Sequence, residues 1–170
     1  MVSSIGVVIR RATVDDLHRI ELIERACFDE SVRYERSLLT TLLEIDEFLT
    51  IIAYINEEPV GYASAYFHES SRQGRIISIA VLPEYRKIGV GTAMIDEIER
   101  NAIARGIVKV VLEVHMMNEV ALRFYKKRGF SIKGILMDYY GPGKNAFTME
   151  KFLRQSPKKN LNNRSFRELV

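Results

Sequence analysis

The chain has 170 residues, of which 47% are hydrophobic and 28% are charged, a composition typical of a soluble globular domain. No apolar run reaches the roughly 18 residues that span a bilayer, and the start of the chain lacks a signal-peptide pattern, so we expect a cytoplasmic protein without membrane contact. The single cysteine, Cys27, excludes an internal disulfide bond, and three histidines without ligand spacing predict no metal site.

The net charge of +3 is unevenly distributed. Residues 151–170 carry six basic side chains and one acid, a net charge of +5, which leaves −2 for residues 1–150. The sequence therefore predicts a domain over residues 1–155 and a basic, flexible tail over residues 156–170. A loosely docked end and a weak anchor for nucleic acid or the ribosome surface remain open interpretations, and no specific nucleic-acid binding is predicted.

Hydrophobic periodicity and turn signals predict elements in the order β-α-α-β-β-β-α-β-α-β-β. In chain order these are a strand at 7–10, a helix from an N-cap at Thr13 to Ala26, a helix at 38–45, strands at 48–55, 60–68 and 75–82, a helix at 89–105, a strand at 108–114, a helix at 118–128 that Gly129 ends, and strands at 130–137 and 146–153. This order predicts an α/β protein of the α+β type, in which about four helices flank a single mixed, mostly antiparallel sheet of about seven strands.

Residues 81–92 place a strand end, a glycine-containing turn and a helix start in direct succession. The first amides of a helix have no intrahelical acceptor and lie at the positive end of its dipole, so they bind anions. Gly89 and Gly91 let a phosphate approach the backbone, and Arg86 and Lys87 add positive charge. The pattern therefore predicts an anion site.

Two nucleotide-binding motifs fail at this turn. A P-loop requires a lysine directly after its last glycine, where Thr92 stands. A dinucleotide-binding fingerprint requires a third glycine at position 94, which is Met94, and an early βαβ unit. A turn whose glycines serve only packing stays an alternative.

The pattern Arg86-x-x-Gly89-x-Gly91, after a strand that ends Ile79-Ala80-Val81, resembles the acetyl-CoA motif of the GNAT acetyltransferase superfamily. A downstream segment resembles the second cofactor segment of that family, and it contains Leu112-Glu113-Val114, Asn118, Ala121, Phe124-Tyr125 and Gly129-Phe130. The resemblance implies a GNAT fold whose sheet splays at the cofactor site, with acetyl-CoA (coenzyme A) as cofactor. The cofactor-binding residues that it implies are Ile79, Ala80 and Val81 for the pantetheine arm, Arg86, Lys87, Ile88, Gly89, Val90, Gly91 and Thr92 for the pyrophosphate, and Asn118 and Tyr125.

Within this superfamily, the sequence is most similar to N-terminal protein acetyltransferases of the RimI and Ard type. The similarity is carried by Ser78-Ile79-Ala80-Val81, by Leu112-Glu113-Val114 and by Tyr139-Tyr140 before a Gly-rich turn. It implies a protein or peptide N-terminus as acceptor, with contact to the ribosome or to a partner subunit. The chain departs from the family pattern at His115, where the family has an arginine, in the loop Phe28-Asp29-Glu30-Ser31, and at residues 143–147.

Acetyl transfer from a thioester to an amine needs a base for the amine, donors for the oxyanion and an acid for the departing thiolate. Tyr125 is the candidate acid, since its position matches the family and a phenol with a pKa of about 10 can protonate a thiolate. A core tyrosine beside Phe124 is the alternative. Asn118 is a helix N-cap, to which the resemblance adds a hydrogen bond to the pantetheine arm. We expect the oxyanion donor to be a backbone N–H near Ile79 or Val81.

Glu113 is the candidate base, because a charged residue inside an apolar strand is costly to bury without a purpose or partner. Strand alternation places His115 on the same face, so His115 either orients Glu113 or itself takes the proton. A structural ion pair of Glu113 is the alternative. The resemblance implies that the loop after the first helix covers the first residue of the acceptor, which makes Phe28, Glu30 and Glu35 candidate substrate-binding residues; a solvated turn is the alternative for the two glutamates. Tyr139 and Tyr140 are further candidates, of which alternation lets only one face the acceptor.

Together these features predict an acetyl-CoA-dependent Nα-acetyltransferase that acts on protein N-termini by direct attack in a ternary complex. Two alternatives stay open. One is a GNAT enzyme that acetylates lysine side chains or small amines and shares the cofactor site. The other is a non-catalytic acyl-CoA-binding module, which would need neither Tyr125 nor Glu113.

Overall fold

The computed structural model describes residues 6–154 and contains one seven-stranded sheet. The strands are β1 Val8–Arg11, β2 Phe48–Ile55, β3 Glu58–His68, β4 Gln73–Val81, β5 Lys109–His115, β6 Ser131–Leu136 and β7 Ala146–Phe152. The helices are α1 Leu17–Cys27, α2 Arg36–Glu44, α3 Val90–Ala104 and α4 Glu119–Lys127, with 3-10 turns at Val14–Asp16 and Pro83–Tyr85. These elements confirm the predicted fold class, element order and mixed sheet.

In space the strands follow the order β1-β2-β3-β4-β5-β7-β6, and only the β4–β5 pair is parallel. The predicted tail at 156–170 lies outside the described residues. Within residues 6–154, no helix is both long and apolar enough to cross a membrane.

The helices cover both faces of the sheet. Along β2, Ile51 and Ala53 belong to the apolar cluster beneath α3 and α4, whereas Ile52 belongs to the cluster beneath α1 and α2. This alternation is expected of a strand whose two faces are both covered. The predicted apolar stripe of α3 is buried in full and comprises Val90, Met94, Ile95, Ile98 and Ala102. The sheet therefore lies between two apolar clusters, one on each face.

The centre of the sheet opens where β4 and β5 separate. These strands pair only over Gln73–Arg75 and Lys109–Val111, at the start of each. Ser64 of β3 pairs with Ser78 but Ala65 pairs with Ile76, so Ile77 is an extra residue that forms a β-bulge. A bulge bends its strand and increases the local twist, which directs the rest of β4 away from β5. The splay expected at the cofactor site is thereby confirmed.

Gly61 of β3 lies close to both β4 and α3. A Cβ atom there would lie 2.7 Å from the Ala80 carbonyl oxygen and 3.3 Å from Met94 Cε. We expect Gly61→Ala to lower the free energy of unfolding by roughly 1–3 kcal/mol, because backbone must move to admit the methyl group. Gly134→Ala in β6 is the matched control, since its Cβ would meet nothing within 4 Å. Equal urea midpoints for the two variants would contradict the steric argument.

Candidate active site

The gap between β4 and β5 opens into a cavity of about 450 Å³. Its long walls are residues 76–79 of β4 and residues 112–115 of β5. The remainder is lined by Glu24 of α1, the loop after α1, the start of α4, and Tyr140 and Lys144 after β6. Because the two strands no longer pair here, the cavity presents strand edges with which an extended ligand can form backbone hydrogen bonds.

The turn after β4 has the geometry of an anion site. Gly89 precedes α3 in the left-handed region, with φ of 100°, and its carbonyl accepts the first helical hydrogen bond from Ala93 at 2.9 Å. The amides of residues 90–92 therefore have no acceptor within the helix. Arg86 Nε donates to the Val81 carbonyl at 2.9 Å, which braces the turn against the end of β4. These residues fit a pyrophosphate group, since free amides and basic side chains meet in one turn.

The two glycines of the turn have different surroundings. A Cβ at Gly91 would lie 3.3 Å from the Phe124 ring, so this glycine lets α3 pack against α4. A Cβ at Gly89 would meet nothing within 4 Å, which leaves open space at the helix start. The need for a glycine at position 91 is thus explained by helix packing. At position 89 a glycine is favoured because the backbone is left-handed, and the space beside it is open.

The start of α4 brings two of the predicted residues to the cavity. Asn118 Oδ1 accepts the amide of Ala121 at 3.1 Å, which confirms the predicted N-cap. Tyr125 is buried and lines the cavity, and its ring makes edge-to-face contacts with Phe124 and Phe130 at centroid distances of 5.2 and 5.6 Å. Burial raises the pKa of the Tyr125 phenol, so it keeps its proton at neutral pH. Tyr125 is therefore both packed in the core and in contact with the cavity.

Glu113 lines the cavity and forms an ion pair with Arg75. Its Oε2 lies 2.8 Å from Nη2 and 3.0 Å from Nε of the arginine, and its side chain is 9% exposed. His115 instead accepts the Met117 amide at Nδ1, at 3.1 Å, and its ring lies 5.5 Å from that of Tyr140. The expectation that His115 orients Glu113 is therefore wrong, because Arg75 holds this carboxylate. The cavity brings Glu113 and His115 together without a hydrogen bond between them.

Tyr139 and Tyr140 differ in the cavity that each of them lines. β6 ends at Leu136, so the two tyrosines lie in the following turn, where side chains do not alternate between sheet faces. Tyr140 lines the cavity, and Tyr139 lines a second cavity beside it. Burial raises the pKa of Tyr140 to about 12. One of the two tyrosines therefore lines the first cavity, as the sequence analysis expected, but strand alternation is not the reason.

The loop after α1 supplies the opposite wall. Phe28 lines the cavity as expected, together with Val32 and Tyr34, whereas Glu30 and Glu35 do not line it. Tyr34 donates its hydroxyl to the carbonyl of the bulge residue Ile77 at 2.9 Å. The loop is therefore fixed to the point at which β4 leaves the sheet.

Glu24 is a cavity residue that the sequence analysis missed. It is 2% exposed, accepts a short hydrogen bond from the Tyr62 hydroxyl and accepts the Tyr34 amide at 3.0 Å. The Tyr62 hydroxyl also lies 3.0 Å from Ser78 Oγ. Glu24 stands seven residues after Leu17 and four after Ile20, so its place on the buried helical face was readable from the sequence.

The buried carboxyl group of Glu24 makes stability depend on pH. Burial raises its pKa, an effect that the hydrogen bonds from Tyr62 and Tyr34 oppose. The folded protein therefore holds this proton more tightly than the unfolded chain does. As pH rises through the unfolded value of about 4.3, we expect the wild type to lose stability relative to Glu24→Gln, until the folded-state pKa is passed.

Urea unfolding of both proteins between pH 4 and pH 8 measures this difference. Glu30→Gln is the control for removal of a carboxylate from the exposed part of the same region. A difference between wild type and Glu24→Gln that stays constant across this range would contradict a raised pKa.

The cavity brings open strand edges, a carboxylate and a protonated phenol together, and the anion site follows the end of the strand that forms its β4 wall. A long, thin ligand with a phosphorylated end fits such a path between β4 and β5. Within residues 6–154, no group of three or more His, Cys, Asp or Glu side chains is arranged to hold a metal ion. The chemistry available from these side chains is proton transfer, with backbone groups to polarise a carbonyl.

Comparisons with known proteins agree with this arrangement. The model of the Acetyltransferase (GNAT) family matches residues 16–130. An N-alpha-acetyltransferase of Sulfolobus acidocaldarius is 34% identical over 152 residues, which cover 83% of this chain and 89% of that protein. The N-terminal acetyltransferase A complex catalytic subunit NAA10 of Arabidopsis thaliana is 31% identical over 154 residues, which cover 87% of this chain and 79% of that protein.

The fold also matches a solved structure. The ribosomal-protein-S18-alanine N-acetyltransferase of Escherichia coli superposes with a TM-score of 0.80 over 91% of this chain and 98% of that chain, at 20% sequence identity. The matched family range contains both the turn at 86–92 and the segment at 112–130. The chain therefore belongs to the GNAT family and is an N-acetyltransferase that takes its acetyl group from acetyl-CoA.

Proposed function

We propose that this enzyme transfers the acetyl group to the free α-amine of protein N-termini, by direct attack in a ternary complex. The observation that carries the proposal is the single cavity that Glu113 and Tyr125 share, with the phosphate-binding turn beyond its β4 wall and the loop after α1 on its far side. The relatives named as N-alpha-acetyltransferase and NAA10 support the same acceptor.

Each part of the cofactor path has a role in this proposal. Acetyl-CoA supplies an acetyl group activated as a thioester. The amides of residues 90–92, with Arg86 and Lys87, bind its phosphates. The free edge of residues 79–81 pairs with the pantetheine arm, and Asn118 adds a side-chain hydrogen bond at the start of α4. A backbone N–H near Ile79 or Val81 polarises the acetyl carbonyl.

Two side chains move protons in the proposed reaction. Glu113 takes the proton of the acceptor amine, directly or through a water molecule, while Arg75 fixes the position of its carboxylate. Tyr125 gives its proton to the departing thiolate. His115 lines the same cavity and stays the alternative base.

The chemistry of the base favours an α-amine over a lysine side chain. The α-amine has a reference pKa about 2.5 units below that of lysine, which is worth about 3.4 kcal/mol of deprotonation at a given pH. A carboxylate is a weak base, so it suits the more acidic of the two ammonium groups. Acetylation of lysine side chains or small amines is the second candidate function.

Mass spectrometry of reacted peptides tests the acceptor. The enzyme is incubated with acetyl-CoA and peptides that carry a free N-terminus, a blocked N-terminus with an internal lysine, or both amines. We expect the acetyl group on the α-amine alone. Turnover confined to lysine would replace the proposal with its alternative, and tight acetyl-CoA binding without any turnover would support a non-catalytic binding module.

Three further expectations from the sequence stay predictions. They are a cytoplasmic location, contact with the ribosome or a partner subunit, and a role for the basic segment at 156–170, which lies outside the described residues.

A further inference from the structure

A second cavity, of about 360 Å³, adjoins the acceptor end of the first and has no role in the mechanism above. The two cavities share Tyr34, Ile76, Ile77 and Glu113 in their walls, so they meet where the acceptor amine is deprotonated in the proposed reaction. Four aromatic side chains line the second cavity, namely Tyr34, Phe48, Tyr66 and Tyr139. A substituent close to the reacting amine can therefore enter it.

Arg75 is the basic residue in the wall of this second cavity. It reaches Glu113 through Nε and Nη2, and Nη2 lies 3.3 Å from the Tyr139 hydroxyl. The guanidinium group carries five N–H donors in a planar fork, so Nη1 offers a further pair of donors. Its side chain is 42% exposed, which makes the group accessible from the cavity.

The surroundings of Arg75 suit a carboxylate. Nε and Nη2 already contact Glu113 and Tyr139, which leaves Nη1 for a ligand. Hydrogen bonds from a guanidinium group to an anion are stronger than those between neutral groups. An acceptor with an ammonium group at Glu113 and a carboxylate at Arg75 would place each charge against its opposite.

On the basis of the proposed function, we propose that Arg75 and the aromatic cavity around it form a specificity subsite for an acidic side chain within the first two residues of the acceptor. Glutamate or aspartate at one of these positions would accept hydrogen bonds from Nη1 of Arg75. The corresponding amide side chain lacks the charge, so it gains less from the same position.

Matched peptides test the subsite on the wild-type enzyme. The pairs begin Ser-Glu and Ser-Gln, and Glu-Ser and Gln-Ser, with identical residues after them. We expect kcat/KM to be about tenfold higher for the acidic member of at least one pair, with a smaller ratio at high salt. Ratios near one in both pairs would overturn the proposal.

Variants at Arg75 distinguish recognition of an acidic acceptor side chain from a role in positioning the Glu113 carboxylate. We expect Arg75→Gln to reduce the acid-to-amide ratio to about one and Arg75→Lys to retain part of it, whatever the total turnover. Arg100→Gln is the control, because Arg100 is an exposed arginine of α3 that pairs with Glu97 and lines neither cavity. An equal loss for acidic and amide peptides in Arg75→Gln would show that Arg75 only holds Glu113.

Calorimetric binding of the same peptides to the CoA-saturated protein makes the two proposals separable. Tighter binding of acidic peptides without turnover at their α-amines would reject the proposed reaction and keep the subsite. Turnover at α-amines, with equal affinity and equal kcat/KM within each pair, would keep the reaction and reject the subsite.

Discussion

Tyr125→Phe is expected to lower kcat at least tenfold, and by about 10²–10⁴-fold if the phenol is the only proton donor to the thiolate. Acetyl-CoA should bind as before, because the substitution removes one oxygen and keeps the ring between Phe124 and Phe130. The raised pKa of the buried phenol ensures that the wild-type side chain carries the proton at neutral pH.

Steady-state kinetics and calorimetric titration with acetyl-CoA measure the two quantities separately. Tyr54→Phe is the matched control, since Tyr54 lies on β2, accepts a hydrogen bond from Arg10 and lines neither cavity. Unchanged kcat in Tyr125→Phe would reject the acid role and leave Tyr125 as a core residue. Equal losses of kcat and acetyl-CoA affinity would instead indicate a role in binding.

Local sequence patterns were sufficient to predict most of the fold. The apolar stripe of α3 repeats at helical spacing, and β5 is a nearly continuous apolar run, so each element could be identified without knowledge of its neighbours. Gly129, with φ of 89°, ends α4 as its position predicted. The proposed phosphate-binding turn could be predicted in the same way, because residues 86–92 are contiguous in the sequence.

The acceptor side could not be predicted in the same way, because its contacts join distant parts of the chain. Arg75 lies 38 positions from Glu113, and the two meet because Arg75 pairs with Val111 in the parallel β4–β5 register. Glu24 and Tyr62 are also 38 positions apart. Strand register and helix packing decide these contacts, and no local sequence pattern encodes them. From the sequence alone, such residues could be recognised only as charged residues within apolar segments.

The β4 bulge links both halves of the site. Its extra residue, Ile77, lies where β4 leaves β5 and presents the carbonyl that accepts the Tyr34 hydroxyl. Tyr34 also donates its amide to Glu24, so the loop after α1 is fixed both to α1 and to the splayed strand. The loop wall of the cavity is therefore positioned by the same distortion that opens the gap between β4 and β5.

Glu113→Gln is expected to lower kcat/KM by about 10²-fold or more if Glu113 is the base, because an amide cannot accept the proton. Glutamine has nearly the same shape and keeps an oxygen that can accept from Arg75, so the variant removes basicity with little change of geometry. His115→Gln should lower kcat/KM much less, since His115 accepts the Met117 amide and does not hydrogen-bond Glu113, whose carboxylate accepts from Arg75.

The relative losses of kcat/KM in the two variants decide between the two residues. If Glu113 is the base, Glu113→Gln loses far more kcat/KM than His115→Gln does. The reverse pattern would transfer the role to His115 and leave Glu113 as a structural partner of Arg75. Arg75 holds Glu113 from the side of the second cavity. A base at Glu113 would therefore couple proton transfer to occupancy of the subsite proposed for an acidic side chain, whereas a base at His115 would not.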